Sequence, residues 1–171
     1  FKKIFITFLS ALILTVVNTS SSFAKVEGDT IVLGAAVSLT GKYSSNGVHT
    51  QNGYNLAVER INSMGGVKVK GKNYKFKIIY YDDESNSGRA AQLAERLIKQ
   101  DGVQYMLGPY SSGLTKAMAP VTEKYKIPMV EANGASRSLF TKGYKYLFAV
   151  LAPANLYLDV AIDLAVEKNG G

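Results

Sequence analysis

Short apolar runs alternate with amphipathic stretches along most of the chain. Thr30 to Leu39 carries Ile31, Val32, Leu33, Ala35, Ala36 and Val37 with almost no polar break, the pattern of a strand buried on both faces. Next comes a helical stripe of Tyr54, Ala57, Val58, Ile61 and Met64, stopped by Gly65-Gly66. Lys68 to Asn73 reads as a turn. Tyr74 to Tyr81 then alternates Phe76, Ile78 and Tyr80 with Lys75 and Lys77, a strand ending at Asp82-Asp83. A second helix places Ala90, Leu93, Ala94, Leu97 and Ile98 on one side and leaves at Asp101-Gly102. Val103 to Leu107 predicts a third strand. Leu114, Ala117, Met118, Val121 and Tyr125 predict a helix, although Pro120 should kink it or remove one of its hydrogen bonds. Ile127 to Val130 and Tyr144 to Val150 predict two further strands, and Leu158, Ala161, Ile162 and Ala165 a last helix. Strands and helices alternating at this spacing predict right-handed βαβ units, hence an α/β fold with a mainly parallel sheet flanked by helices.

The first 24 residues stand apart. Lys2-Lys3 precede an apolar stretch from Ile4 to Val17, and a polar segment ends in Ser22-Phe23-Ala24, the layout of a secretory leader cleaved before Lys25. The apolar stretch is shorter than the roughly 20 residues of a membrane-spanning helix. Removing it takes away Lys2 and Lys3 and no acid, which lowers the formal net charge from +7 to +5. The remaining basic residues are spread out; Lys68, Lys70, Lys72, Lys75 and Lys77 read as a solvated strand face rather than the basic patch with stacking aromatics that nucleic acid requires. The chain has no cysteine, which excludes disulfides and thiolate metal sites. It starts without Met and stops at Asn169-Gly170-Gly171, where a helix would pass to its next strand, so the protein is expected to continue.

Candidate chemistry gathers in three clusters that each follow an apolar run: Thr40 to Gly47, Ser111-Ser112-Gly113 and Gly134-Ala135-Ser136. In an open α/β sheet, ligands sit beyond the carboxyl ends of the strands, where these clusters fall. Ser111 or Ser112 can cap the helix that follows, or the same helix start can receive an anion such as a carboxylate. No G-x-S-x-G elbow is present, and a serine triad would need a histidine that the clusters lack. Tyr43, Asn46 and Tyr110 are candidates for the wall of a ligand site or for plain loop packing. Asp82-Asp83-Glu84 are adjacent acids that point apart, better suited to capping the turn and the next helix than to holding a divalent metal. His49, the sole histidine, has no partner that would make it catalytic, and no G-x-G-x-x-G follows a strand. The composition of the loops favours holding a small polar or anionic molecule over transforming one; no cofactor, no metal and no catalytic residue is expected.

The string Ser38-Leu39-Thr40-Gly41, Gly47, Asn52-Gly53, Ala57-Val58, Ile61-Asn62, Gly65-Gly66, with Tyr81-Asp82-Asp83, Gly108-Pro109, Ser111-Ser112 and Ile127-Pro128, resembles the periplasmic branched-chain amino-acid-binding proteins. These are type I periplasmic binding proteins, the substrate-binding subunits of ABC transporters. The resemblance implies two α/β lobes with the ligand between them. Residues 1–24 would be the leader, 25–150 the N-terminal lobe, and 151–171 the crossover and first helix of the second lobe. It also implies a periplasmic, monomeric protein that binds an amino acid or amide and delivers it to permease membrane subunits; the same fold serves, alternatively, as the sensing domain of receptors. By the family pattern the ligand carboxylate would be held at Ser112 and Ser136, with backbone help from Gly134 and Ala135 and with Ser111, Tyr110, Asn46 and Tyr43 nearby. Leucine-type relatives have a large aromatic where this chain has Asn46, which implies a smaller or more polar ligand. The acidic partner of the ligand ammonium would lie beyond Gly171.

Overall fold

The computed structural model describes residues 26–169, so the leader and its cleavage point lie outside the described residues. The chain runs through β1 (Val26–Glu27), β2 (Thr30–Val37), α1 (Ser44–Ser63), β3 (Val67–Val69), β4 (Lys72–Asp82), α2 (Ser87–Lys99), β5 (Met106–Leu107), α3 (Ser112–Tyr125), β6 (Met129–Glu131), β7 (Leu147–Ala149) and α4 (Asp159–Lys168). The strands form one sheet in the order β3-β4-β2-β5-β6-β7, with β1 added antiparallel to β2. Pairings from β4 through β7 are all parallel, and β3 returns antiparallel on β4. The mainly parallel α/β sheet read from the sequence is therefore the fold observed.

The parallel strands begin at β2 in the middle, move outward to β4, then reverse past β2 to β5, β6 and β7. Right-handed crossovers consequently put α1 on one face of the sheet and α2 and α3 on the other. On the second face Leu93, Leu97, Leu114 and Met118 from the helices meet Val32, Ala36, Met106 and Met129 from the strands in one buried cluster. The register of β2 against β4 runs from Thr30 opposite Lys75 to Val37 opposite Asp82, so both strands end at the same level.

Several boundaries differ from the sequence reading, each for a tertiary reason. Helix α1 begins at Ser44, inside the segment read as a loop. Its Gly47 and Thr50 are buried, and a Cβ on Gly47 would stand 1.9 Å from the Ser38 carbonyl oxygen. Packing of the first turn against the end of β2 thus overrides the weak helix propensity of Ser-Ser-Asn-Gly. The turn read at Lys68 to Asn73 is the tip of a hairpin, turning at Lys70 and Gly71 with φ of +50° and +86°. The third strand is limited to Met106–Leu107, because the Val103 N–H goes back to the Leu97 carbonyl at 3.0 Å rather than into the sheet. The fifth predicted strand starts at Leu147, not Tyr144; the N–H groups of Lys145 and Tyr146 donate to the Glu123 carboxylate at 2.9 and 3.0 Å instead. Pro120 lies inside α3 on its exposed side, where the helix continues to Tyr125. Helix α4 contains no buried residue, and Val160 and Ile162 are exposed. Among the described residues no helix is long and apolar enough to cross a membrane.

Candidate functional site

The strand order reverses between β2 and β5, and in open α/β sheets the crevice at that reversal, beyond the strand carboxyl ends, is where ligands bind. Three segments meet there: the link from β2 into α1, the link from β5 into α3, and the loop after β6.

The first link is held from β4. Because Val37 and Asp82 are level, the Asp82 carboxylate accepts the N–H groups of Leu39 at 2.9 Å and Thr40 at 3.2 Å, the Thr40 hydroxyl at 2.7 Å and the Glu84 N–H at 2.8 Å. Burial pushes its carboxyl up, but the hydrogen bonds from Thr40, Glu84 and Leu39 outweigh that and hold it below the ordinary aspartate range. Asp83 is fully buried and accepts the Ser38 hydroxyl at 2.6 Å and the Ser85 N–H at 2.8 Å. Burial raises its pKa despite these bonds. The acids therefore tie two loops together, as well as shaping their own turn. The cap of α2 is Asn86, whose side chain accepts the Arg89 N–H at 2.9 Å, so the expected helix cap is not one of the acids.

After β5, Ser111 is the N-cap of α3, with its side chain accepting from the Leu114 N–H at 3.4 Å. It adopts φ +77°, uncommon for a residue with a side chain, and its carbonyl accepts both the N–H and the hydroxyl of Thr115. Ser112 is the first residue of the helix. Its Oγ accepts the Ser136 N–H at 3.0 Å, which joins the second and third clusters directly. Ser136 Oγ lies 2.9 Å from Ser138 Oγ.

Behind the third cluster sits a residue that the sequence did not single out. Glu131, the last residue of β6, is fully buried, and its Oε2 accepts the N–H groups of Asn133 and Gly134. Its Oε1 is buried without a hydrogen-bond partner among the described residues, and burial raises the pKa of the carboxyl despite the bonds from Gly134 and Asn133. The Gly134 N–H, expected to face a ligand, is thus given to Glu131, and Gly134 shapes the loop instead. A Cβ there would stand 2.6 Å from Glu131 Oε2 and 3.0 Å from Thr115 Oγ1. Ala135 accepts the Ala154 N–H at 2.8 Å, anchoring the chain beyond β7 to this loop.

A cleft of about 400 Å³ opens where the three segments meet. Asn46, His49, Thr50, Gly53 and Tyr54 of α1 form one side; Tyr110 after β5 and Ala132 and Asn133 after β6 form the other. Tyr43 packs edge-on against Tyr110 with ring centroids 5.5 Å apart. Of the sequence candidates, Asn46 and Tyr110 line the cleft. Tyr43 supports Tyr110, and Ser112 and Ser136 form a pair next to it in the chain, two residues after Tyr110 and three after Asn133. His49, Thr50, Tyr54, Ala132 and Asn133 were missed. His49 and Tyr54 could have been found by extending the helix to Ser44, which puts positions 46, 49, 50, 53 and 54 on one face.

A profile of the periplasmic binding protein family matches residues 30–171. A leucine-, isoleucine-, valine-, threonine- and alanine-binding protein of Pseudomonas aeruginosa is 26% identical over 140 residues, 82% of this chain and 36% of its own length. A Leu/Ile/Val-binding protein homologue of Brucella suis is 27% identical over 154 residues, 90% of this chain and 37% of its own. The branched-chain amino-acid transporter substrate-binding protein of Streptococcus pneumoniae, solved with isoleucine, superposes with a TM-score of 0.66 at 28% identity, covering 78% of this chain and 39% of that one. A solute-binding protein of an ABC transporter from Rhodopseudomonas palustris, solved with 3,4-dihydroxybenzoic acid, superposes with a TM-score of 0.67 at 26% identity over 82% of this chain and 37% of that one. The chain spans little more than a third of the length of these relatives.

Proposed function

The chain belongs to the periplasmic binding protein family, and on that premise we propose that it forms the first lobe of the substrate-binding subunit of an ABC transporter. This subunit captures a small amino acid or amide in the periplasm and passes it to a membrane permease. The observation that carries the reading is the Ser112–Ser136 hydrogen bond at the start of α3, beside the cleft at the strand-order reversal. Ser112 uses an oxygen lone pair on Ser136 and keeps its own hydroxyl hydrogen to donate. The positive end of α3 favours an anion at the same place. Ser112 and Ser136 hold the ligand carboxylate, with Ala135 and Ser111 supporting the two loops. The curated relatives include amino-acid-binding proteins, which agrees with this chemistry.

Residues beyond Val150 begin the second lobe. The unburied apolar residues of α4 support that reading, and the Ala154 N–H donates to the Ala135 carbonyl of the site loop. Ligand binds first to the prearranged Ser112–Ser136 side, and the second lobe closes over it by a hinge motion. Each hydroxyl-to-carboxylate bond is charge-assisted and contributes about 1.5–3 kcal/mol. Calorimetry on the intact gene product should therefore show that Ser112→Ala with Ser136→Ala weakens amino-acid binding by roughly a hundredfold or more. Unchanged affinity in the double variant would remove the serine pair from the site. Failure of a full panel of amino acids and amides to bind the folded wild-type protein would remove the ligand class.

A further inference from the structure

We propose that Glu131 is a positioning residue that takes up a proton as the ligand is enclosed, its neutral carboxyl then holding the loop after β6 in place. This goes beyond the proposed function but rests on it, because the ligand carboxylate is part of the cause.

The niche around Glu131 joins all three segments of the site. Gly108, after β5, runs so close that a Cβ there would stand 2.6 Å from Glu131 Cβ. The Gly108 carbonyl in turn accepts the Tyr54 hydroxyl of α1 at 2.8 Å. On the other side Gly134 makes room of the same kind, since a Cβ there would stand 2.6 Å from Oε2. The carboxyl is therefore fully buried between the loops after β5 and β6.

Its two oxygens are used unequally. Oε2 accepts the N–H groups of both Asn133 and Gly134, while Oε1 is buried with no partner among the described residues. An ionised carboxylate spreads its charge over both oxygens and calls for donors on each, whereas a neutral carboxyl has one carbonyl oxygen and one hydroxyl. The arrangement suits the neutral form, with the proton on Oε1. A buried hydroxyl without an acceptor costs far less than a buried charge without donors. No lysine or arginine among the described residues pairs with Glu131. Helix α1 presents Tyr54, which burial, then the Glu131 charge and then Tyr80 of β4 push above the ordinary tyrosine range. Helix α3 brings the Thr115 hydroxyl beside Gly134, already donated to the Ser111 carbonyl at 2.9 Å. His49 and Tyr110 are the other titratable groups that line the cleft.

Ligand binding strengthens the preference for the neutral form in two ways. Ala132 and Asn133 are half-buried and line the cleft, so an enclosed ligand removes water from the turn that Glu131 holds. The ligand carboxylate at Ser112 and Ser136 also adds a negative charge two residues beyond Gly134. Both effects oppose ionisation. Burial already raises the carboxyl in the open lobe, and binding raises it further. Affinity is then greatest below the open lobe's value, falls as pH rises from that value to the one in the bound form, and is level above it.

Calorimetry on the intact gene product, with leucine, valine, threonine, alanine and asparagine as probes, reads the proton directly. In buffers of different ionisation enthalpy, the apparent binding enthalpy changes in proportion to the protons taken up. Wild type should take up part of one proton between about pH 5 and 8, above the ordinary glutamate range, and its affinity should fall about threefold to tenfold across that interval. Glu131→Gln keeps an acceptor for Asn133 and Gly134 but cannot titrate, so its affinity should be level with pH and its enthalpy independent of buffer. His49→Gln should keep both wild-type effects. Should Glu131→Gln not fold, carbon NMR on the wild type takes its place: the Glu131 carboxyl carbon should titrate above the ordinary range, and higher still with the tightest probe bound. Wild-type affinity that is level with pH, proton uptake that survives in Glu131→Gln, or uptake that is lost in His49→Gln overturns the proton linkage but leaves the serine clamp standing. If none of the probes binds the folded protein, the proposed function fails and the linkage falls with it.

Discussion

Ser112 Oγ accepts the Ser136 backbone N–H at 3.0 Å, so a side chain at the start of α3 fixes the backbone of the loop after β6. Both residues are half-buried. Ser112→Ala leaves the N–H without its acceptor and should cost about 1 kcal/mol, the scale of a neutral hydrogen bond. Urea unfolding gives the stability change, and amide hydrogen exchange at Ser136 gives the local effect. Exchange at Ser136 that is no faster in the variant would show that the bond does not organise the loop.

Glu131→Gln tests the buried carboxylate beneath that loop. A carboxamide oxygen can still accept from Asn133 and Gly134, while no charge remains to be buried. Burial raises the folded-state pKa of Glu131, so its stabilising contribution is complete below the ordinary glutamate range and is lost as pH rises through the folded value. The variant lacks that loss. Its stability relative to wild type should rise from about pH 4, near the ordinary glutamate pKa, to neutrality. Asp83, raised in the same direction, is present in both proteins and cancels from the difference. Parallel stability profiles for the two proteins would contradict the prediction.

Asp82→Ala should behave with the opposite sign. Its carboxyl is held below the ordinary range, so its stabilisation is present above the unfolded aspartate pKa and is lost as pH falls through the folded value. The loss in the variant should be about 1.5 kcal/mol at neutral pH, the lower end for hydrogen bonds to a charged group because the site is partly open to water. Thermal or urea unfolding should show the gap from wild type closing on acidification. A gap that is constant with pH would mean the charge is not what holds Leu39 and Thr40.

Two glycines of α1 should answer alanine in opposite directions. At Gly47 the new Cβ would stand 1.9 Å from a backbone oxygen, Ser38 O, which has no flexible side chain to move aside. The helix start must shift, at a cost of about 1–3 kcal/mol or more. At Gly53 a Cβ meets nothing within 4 Å, and alanine should stabilise the helix by about 0.5–1 kcal/mol. Denaturation of the two single variants checks both signs; a tolerated Gly47→Ala would show that α1 does not rest on Ser38.

How far the site was legible depended on where each residue's partner lies. Tyr110 and Asn46 could be read as wall candidates because they sit in clusters that follow strands, and the structure puts both on the cleft. Ser112 and Ser136 were read as converging, and the 3.0 Å bond joins their loops. His49 and Tyr54 were hidden because the hydroxyl-and-glycine segment before them looked like a loop; its helical start depends on Gly47 packing against Ser38. Glu131 sat at the end of an apolar run without any local sign that it would be buried, since its partners, Asn133 and Gly134, are backbone groups of a turn.

Periodicity by itself determined the alternation of strands and helices, and with it the parallel α/β sheet. It could do so because burying one stripe of a helix, or both faces of a strand, is a local demand written at a fixed spacing. The tertiary structure decided the rest. Only the pairing of β2 with β4 brought Val37 level with Asp82 and so tied Thr40 to the Asp82 carboxylate. Only the reversal of strand order brought the loops after β5 and β6 together with the face of α1 to make the cleft. Those arrangements depend on which elements become neighbours, a choice settled by packing between residues far apart in the chain.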